Sequence, residues 1–241
     1  SQLAAFSTDD IAVMSSQQIG ALKSTQMMSL STDQIQVLTT ADIRSLDTSD
    51  ISGLRTDQIA ALNSAQVAAL TTLQVSALGT AQVMALSTSD MAGLSTADIR
   101  ALGSSSIQVL STDQLSSWSS AQVAAMTTSQ VAVLTTDQIN ILSTASIGAL
   151  NSAQVGTLNS TQIHGLTTAQ FLALDTVDVR AISTLNVSVL SSSQIAAMST
   201  AQVASMLTSQ VSALTTEAIA ALSTADIAAF NSAQFAAIST V

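Results

Sequence analysis

The chain has 241 residues and a formal net charge of −10; 47% of it is apolar, 8% charged and 2% aromatic, with no proline and no cysteine. Without Cys there is no disulfide framework, no thiolate zinc site and no cysteine nucleophile. The cations are confined to Lys23, Arg44, Arg55, Arg100 and Arg180, which argues against binding nucleic acid or an anionic membrane surface.

From Ser7 onward the sequence reads in octads with no insertion or deletion: STDDIAVM, SSQQIGAL, KSTQMMSL, STDQIQVL, TTADIRSL, and so on to NSAQFAAI at 231–238, 29 in all. The opening SQLAAF fits the last six positions of an octad, and the closing STV fits the first ones. The expectation is one continuous repeat array over residues 1–241, a piece of a longer one, with no linker or second domain. A mean hydropathy of +0.48 looks membrane-like. Yet the longest apolar run is Ala218 to Leu222, and a spanning helix needs about 20 such residues. No charged segment followed by an apolar one opens the chain, so no signal peptide is expected.

Each octad position obeys its own rule. Position 1 is Ser, Thr, Asn, Asp or Gly except at Lys23, Arg55 and Leu207, and position 2 is always Ser or Thr. Position 4 is Gln in 18 octads and Asp in seven; position 5 is always a large apolar residue, and position 8 is Leu in 21. An uninterrupted helix cannot hold this pattern, because eight residues at about 100° each let the apolar stripe slip by about 80° per octad. The helix must break once per octad. Position 1 carries the N-cap alphabet, and the Gln or Asp three residues later can reach back to the cap's own N–H as in a capping box.

The expected fold is therefore all-α: a solenoid of about 29 short capped helices, each followed by a sharp turn. Positions 5 and 8 would form its core, and positions 3, 4 and 6 would coat its outside. A small position 7 would let successive helices approach closely. The position 2 hydroxyl is expected on a carbonyl of a neighbouring repeat. A β-solenoid is the structural alternative, since Ile, Val and Thr favour strands. Against it stand the adjacent apolar positions 7 and 8, the abundance of Ala and Gln, and too little Gly for a corner in every coil.

Few residues carry chemistry. His164 sits at position 6 without a partner His or Cys, and reads as a solvated side chain. Trp118 occupies position 8 and reads as core. Asp9 with Asp10, and Asp47 with Asp50, are the densest carboxylates. No glycine-rich aspartate loop accompanies them, so no specific Ca²⁺ site is expected. The pairs Asp42/Arg44, Asp98/Arg100 and Asp178/Arg180 stand two residues apart and do not face each other along a helix; they read as surface or cross-repeat contacts. The many serines lack a base. No catalytic, cofactor-binding or metal site is expected, and no enzyme.

Arrays of the S-T-A-Q-V-A-A-L type resemble repeat regions of very large secreted or surface proteins of Gram-negative bacteria, often adhesin-like. That resemblance implies an extracellular or cell-surface location and a stalk-like or adhesive role. The octads NSAQVAAL and TTAQFLAL are also similar to the first short helix of TAL-effector repeats. The proline, second helix, base-reading loop and basic residues of those repeats are absent, so DNA binding does not carry over. Two function classes follow: a structural spacer or fibre segment, with adjacent repeats or other copies as partners, or a module whose Ser/Thr/Gln surface binds a glycan, an ice face or its own copy.

Overall fold

A computed structural model describes residues 5–238. Among them it contains 29 helices, from α1 (Thr8–Ala12) to α29 (Ser232–Ile238), and no strand, so the helical solenoid holds and the β alternative falls.

Every helix begins at octad position 2 behind a cap at position 1. In α8 (Ser64–Ala68) the Asn63 side chain accepts from the Gln66 N–H at 3.0 Å, while the Gln66 side-chain oxygen accepts from the Asn63 N–H at 2.8 Å. Both orphan donors are thereby satisfied. Where position 1 cannot cap, its partner still acts: Gln26 and Gln210 accept the N–H of Lys23 and Leu207, each at 2.8 Å. Helix C-termini are closed partly by hydroxyls. Ser45, Ser117 and Thr157, all at position 7, each donate to the position 4 carbonyl of their own octad at 2.7 Å.

The corner between Gly53 and Thr56 is two extended residues. Leu54 at position 8 has φ −60° and ψ 138°, and Arg55 at position 1 has φ −72° and ψ 159°. No described residue has positive φ. A coil built this way needs no glycine at its corners, which explains how so glycine-poor a chain can turn once every eight residues.

The chain forms two compact units, Ser1–Trp118 and Ser119–Val241. Within each, a helix packs against the third helix on. In the first unit α8 meets α11 (Thr88–Gly93); in the second, α19 (Ser152–Val155) meets α22 (Thr176–Ala181). The close approach expected between successive helices is thus made between helices three octads apart. An ideal Cβ on Gly20 would lie 2.7 Å from the Ser45 carbonyl oxygen, and one on Gly148 would lie 2.8 Å from that of Ala173. At both places position 6 of one octad meets position 7 of the third octad onward.

Position 5 is at most 2% exposed from Ile11 through Val211, and position 8 is buried from Leu30 through Leu214. Burying one such side chain contributes about 1.5–3 kcal/mol, so the apolar contribution accrues coil by coil. Position 4 departs from expectation. It is buried from Gln34 onward, with Gln58 0% and Gln66 1% exposed, so positions 1–3 and 6 coat most of the outside. Buried amides need partners, and these lie in the preceding coil.

Candidate functional site

The most elaborate chemistry in the molecule is the ladder of position 4 side chains between coils. The Gln58 side-chain amide uses both ends. Its Oε1 accepts the Arg55 N–H at 3.0 Å, and its Nε2 donates to the carbonyls of Met27 and Leu30, both at 2.9 Å. Those carbonyls belong to positions 5 and 8 four octads earlier. In the second unit Gln170 repeats the arrangement, accepting from Thr167 at 2.9 Å and donating to Ile139 at 2.9 Å and Leu142 at 2.8 Å. Gln66, Gln74, Gln82, Gln114, Gln194 and Gln210 do the same. A short helix leaves its C-terminal carbonyls without intrahelical donors, and the glutamine of a later coil supplies one. With packing to the third helix and bonding to the fourth, one turn of each coil takes between three and four octads.

Asp changes the joint. The Asp90 carboxylate accepts the Ser87 N–H at 2.9 Å and the Ser87 hydroxyl at 2.7 Å through Oδ2, and the Ser64 hydroxyl at 2.9 Å through Oδ1. It has no donor for the carbonyls that a Gln would hold. Ser24, Thr72 and Thr200 likewise donate to Asp50, Asp98 and Asp226, three octads on. The position 2 hydroxyl thus meets a side-chain oxygen at these places, where a backbone carbonyl was expected, because the carboxylate reaches into the space between coils. Asn186 lies between the two types. It accepts from Ser160 at 2.9 Å and donates to the Leu158 carbonyl at 2.6 Å, so its shorter amide reaches one carbonyl.

These surroundings set the carboxyl pKa values. Burial raises Asp226, but hydrogen bonds from the Ser223 and Thr200 hydroxyls and the Ser223 N–H outweigh it and hold the group below the ordinary value. At Asp178 the balance reverses. Burial pushes it up to about 6, and the Asp175 charge adds to that against the lowering by an Asp175 backbone hydrogen bond. Asp10, Asp47 and Asp57 are held low by the Ser7, Ser49 and Arg55 side chains, respectively.

The other residues singled out from sequence fall as follows. His164 is exposed on α20 (Ser160–Gly165). Trp118 is 5% exposed, and its indole N–H has no hydrogen-bond partner. Asp42, Asp98 and Asp178 are buried partners of the caps Thr39, Ser95 and Asp175 and not surface decoration, and Asp98 also makes a cross-repeat contact with the Thr72 hydroxyl. The nearby arginines bond elsewhere, Arg44 donating to the Ala69 carbonyl at 3.3 Å and Arg180 to that of Ser205 at 3.3 Å. Asp9 and Asp10 are exposed, while Asp47 and Asp50 form one capping box. Arg55 pairs with Asp57 at 3.0 Å and donates to the Met28 carbonyl. Among the described residues no group of three His, Cys, Asp or Glu side chains could hold a metal, and no helix is long and apolar enough to cross a membrane.

The sequence reading missed the buried half of the amide. Its signal was the surplus of Gln over Asp at position 4, since Asp completes a capping box equally well and only Gln also donates.

No curated protein matches the chain. The model of the ALTTAQ repeat family matches it eight times, at residues 1–32, 35–72, 60–88, 83–118, 115–144, 140–168, 171–208 and 206–240. The six letters of that description correspond to positions 7, 8, 1, 2, 3 and 4, which here are the turn, the cap and the coil-bonding glutamine. The chain belongs to the ALTTAQ repeat family.

Proposed function

We propose that this chain is a non-catalytic structural segment, an extended spacer or fibre-forming part of a large secreted or surface protein of bacteria, with the octad array continuous over residues 1–241. The observation that carries this reading is the coil joint itself. The most chemically specified side chain of the octad is spent on holding one coil to the next, and not on a ligand. Positions 3 and 6, which face solvent, are the most freely varied. Such an array lengthens by adding coils and leaves its surface for display.

Small-angle scattering tests it. Variants with three or six octads duplicated inside either unit are expected to gain length in proportion to the octads added, with unchanged cross-section. A radius of gyration that grows as a compact globule would overturn the spacer. A second reading, an adhesive module for a glycan or an ice face, draws on the exposed hydroxyls of positions 1 and 2. Retention on glycan arrays or ice-affinity columns would favour it over the spacer.

A further inference from the structure

The buried position 4 carboxylates are held in their coil joints by hydroxyl donors, with one exception. Asp42 accepts from the Thr39 hydroxyl at 2.7 Å, and Asp50 from that of Ser24 at 2.9 Å. Asp98 and Asp226 each accept the hydroxyl of their own cap at 2.6 Å and a second one from three octads earlier. Asp178 is 3% exposed and receives none. Its cap is Asp175, which has no hydroxyl to give, and Ser152, placed as Ser64 is to Asp90, makes no bond to it. Among the described residues its carboxylate accepts only the Asp175 N–H, at 3.2 Å. Asn186, one octad on, shows what a side chain of this length does with a donor: its Nδ2 reaches the Leu158 carbonyl, 28 residues back, at 2.6 Å. The equivalent carbonyl for Asp178 is that of Leu150, which meets no donor among the described residues.

A carboxyl donates only when protonated. We propose that Asp178 is a proton-operated coil joint: with a proton its hydroxyl donates to the Leu150 carbonyl and ties α22 to the preceding coil, and without one two facing oxygens loosen the same joint. The proton is exchanged with solvent. Burial, with the Asp175 charge adding to it, raises the Asp178 carboxyl to about 6, so the group changes charge between mildly acidic and neutral surroundings. The helices packed against α22 are α19 and α25 (Thr200–Ser205), and neither carries an ionisable side chain. On α22 itself Arg180 turns away to the Ser205 carbonyl. His164 lies on α20, which packs against α17 (Thr136–Asn140) and α23 (Thr184–Val187). Among the described residues the charge that faces Asp178 is therefore that of Asp175. The joint stiffens one place in the second unit in mild acid and softens it near neutrality, and it does so whatever the chain as a whole displays.

Hydrogen exchange on the 241-residue chain, corrected for the intrinsic pH dependence of the rates, tests it. Between pH 5 and pH 7.5 the peptides spanning residues 144–155 and 175–182 are expected to lose protection by about tenfold, while those of the glutamine joints at 63–86 keep theirs. Asp178→Asn has the same shape and supplies a permanent donor, so both peptides should stay protected at either pH. Asp175→Ser removes the facing charge and supplies the cap hydroxyl that Asp226 has, so the step between the two pH values should vanish. A wild type without the step, a step that survives in either variant, or a loss spread evenly over the chain would each overturn the proposal. Asp178→Asn alone decides the matter if Asp175→Ser does not fold.

Discussion

The octads 63–70 and 87–94 each hold one short helix behind the same kind of cap, Ser64–Ala68 and Thr88–Gly93, and differ in how they join the coil before them. Gln66 donates to Ile35 and Leu38 at 2.9 and 2.7 Å, so its octad is tied by hydrogen bonds that arise inside its own cap. Asp90 instead collects the Ser64 hydroxyl of an earlier octad and donates nothing. One joint is made by a buried donor and the other by a buried acceptor. The hydrophobic layer beneath them is common to both, with Val67 1% and Met91 0% exposed. The repeat thus keeps its fold under two bonding schemes, because position 5 and position 8 burial sets the coil geometry and position 4 decides what is bonded across it.

The comparison can be broken from the glutamine side first. Gln66→Glu keeps the shape but turns the donor toward Ile35 and Leu38 into a carboxylate facing two carbonyl oxygens. A loss of about 3–5 kcal/mol is expected, read by urea denaturation at pH 7. Recovery at low pH should be partial, as protonation restores a donor. A loss below that of Gln66→Ala would show that the buried amide does not carry the joint.

The aspartate joint is sharpened at Asp178, whose carboxyl is raised to about 6. A raised acid favours folding in its protonated form. That contribution is fully present below the ordinary value near 4 and is lost as pH rises through about 6. Asp178→Asn is expected to be more stable than the wild type by about 1–2 kcal/mol at pH 7.5, after allowance for solvent screening, with the difference closing toward pH 4. Thermal unfolding across that range checks it, and a difference independent of pH would show that charge is not the cause. The lowered carboxyls Asp10, Asp47, Asp57 and Asp226 work in the opposite sense and favour the fold above about pH 4, losing that contribution as acid protonates them.

Smaller effects follow at the octad's first two positions. Ser64→Ala removes a hydroxyl from the Asp90 carboxylate and should cost about 1–2 kcal/mol. Ser160→Ala should cost less, since its acceptor on Asn186 is neutral. Leu207→Ser supplies a missing N-cap on α26 (Thr208–Val211) and should add about 0.5–1 kcal/mol. Matched denaturation curves rank all three, and a neutral Ser64→Ala would show that the hydroxyl does not tie the aspartate coil.

The core and the helix starts were legible because each is written as a single-position preference. An apolar residue at position 5 and a cap alphabet at position 1 have one physical reading each. Position 4 has two. The N–H of Asn63 or Ser87 is satisfied by Gln66 or Asp90 alike, so the capping box accounts for the residue before its buried end is considered. Placing Nε2 required the chain spacing of 28–31 residues between Gln66 and the carbonyls of Leu38 and Ile35, and no local pattern displays that distance. The same gap hid why Ser64 is a hydroxyl, since its acceptor lies 26 residues away. It also hid why Asp42 and Arg44, neighbours in sequence, serve different coils.

The corner made from two extended residues has a consequence for how such a gene changes length. Because the turn at Leu54 and Arg55 uses backbone angles open to any residue, no octad contains a unique hinge that must be preserved. Coil bonds run between classes of position and not between particular residues. When replication slips on the repetitive coding sequence and adds or drops whole octads, each glutamine within four octads of the change finds an equivalent pair of carbonyls in another repeat, and those farther on keep their own. Copy number can therefore drift by duplication and loss while each intermediate still folds, which lets selection act on reach alone.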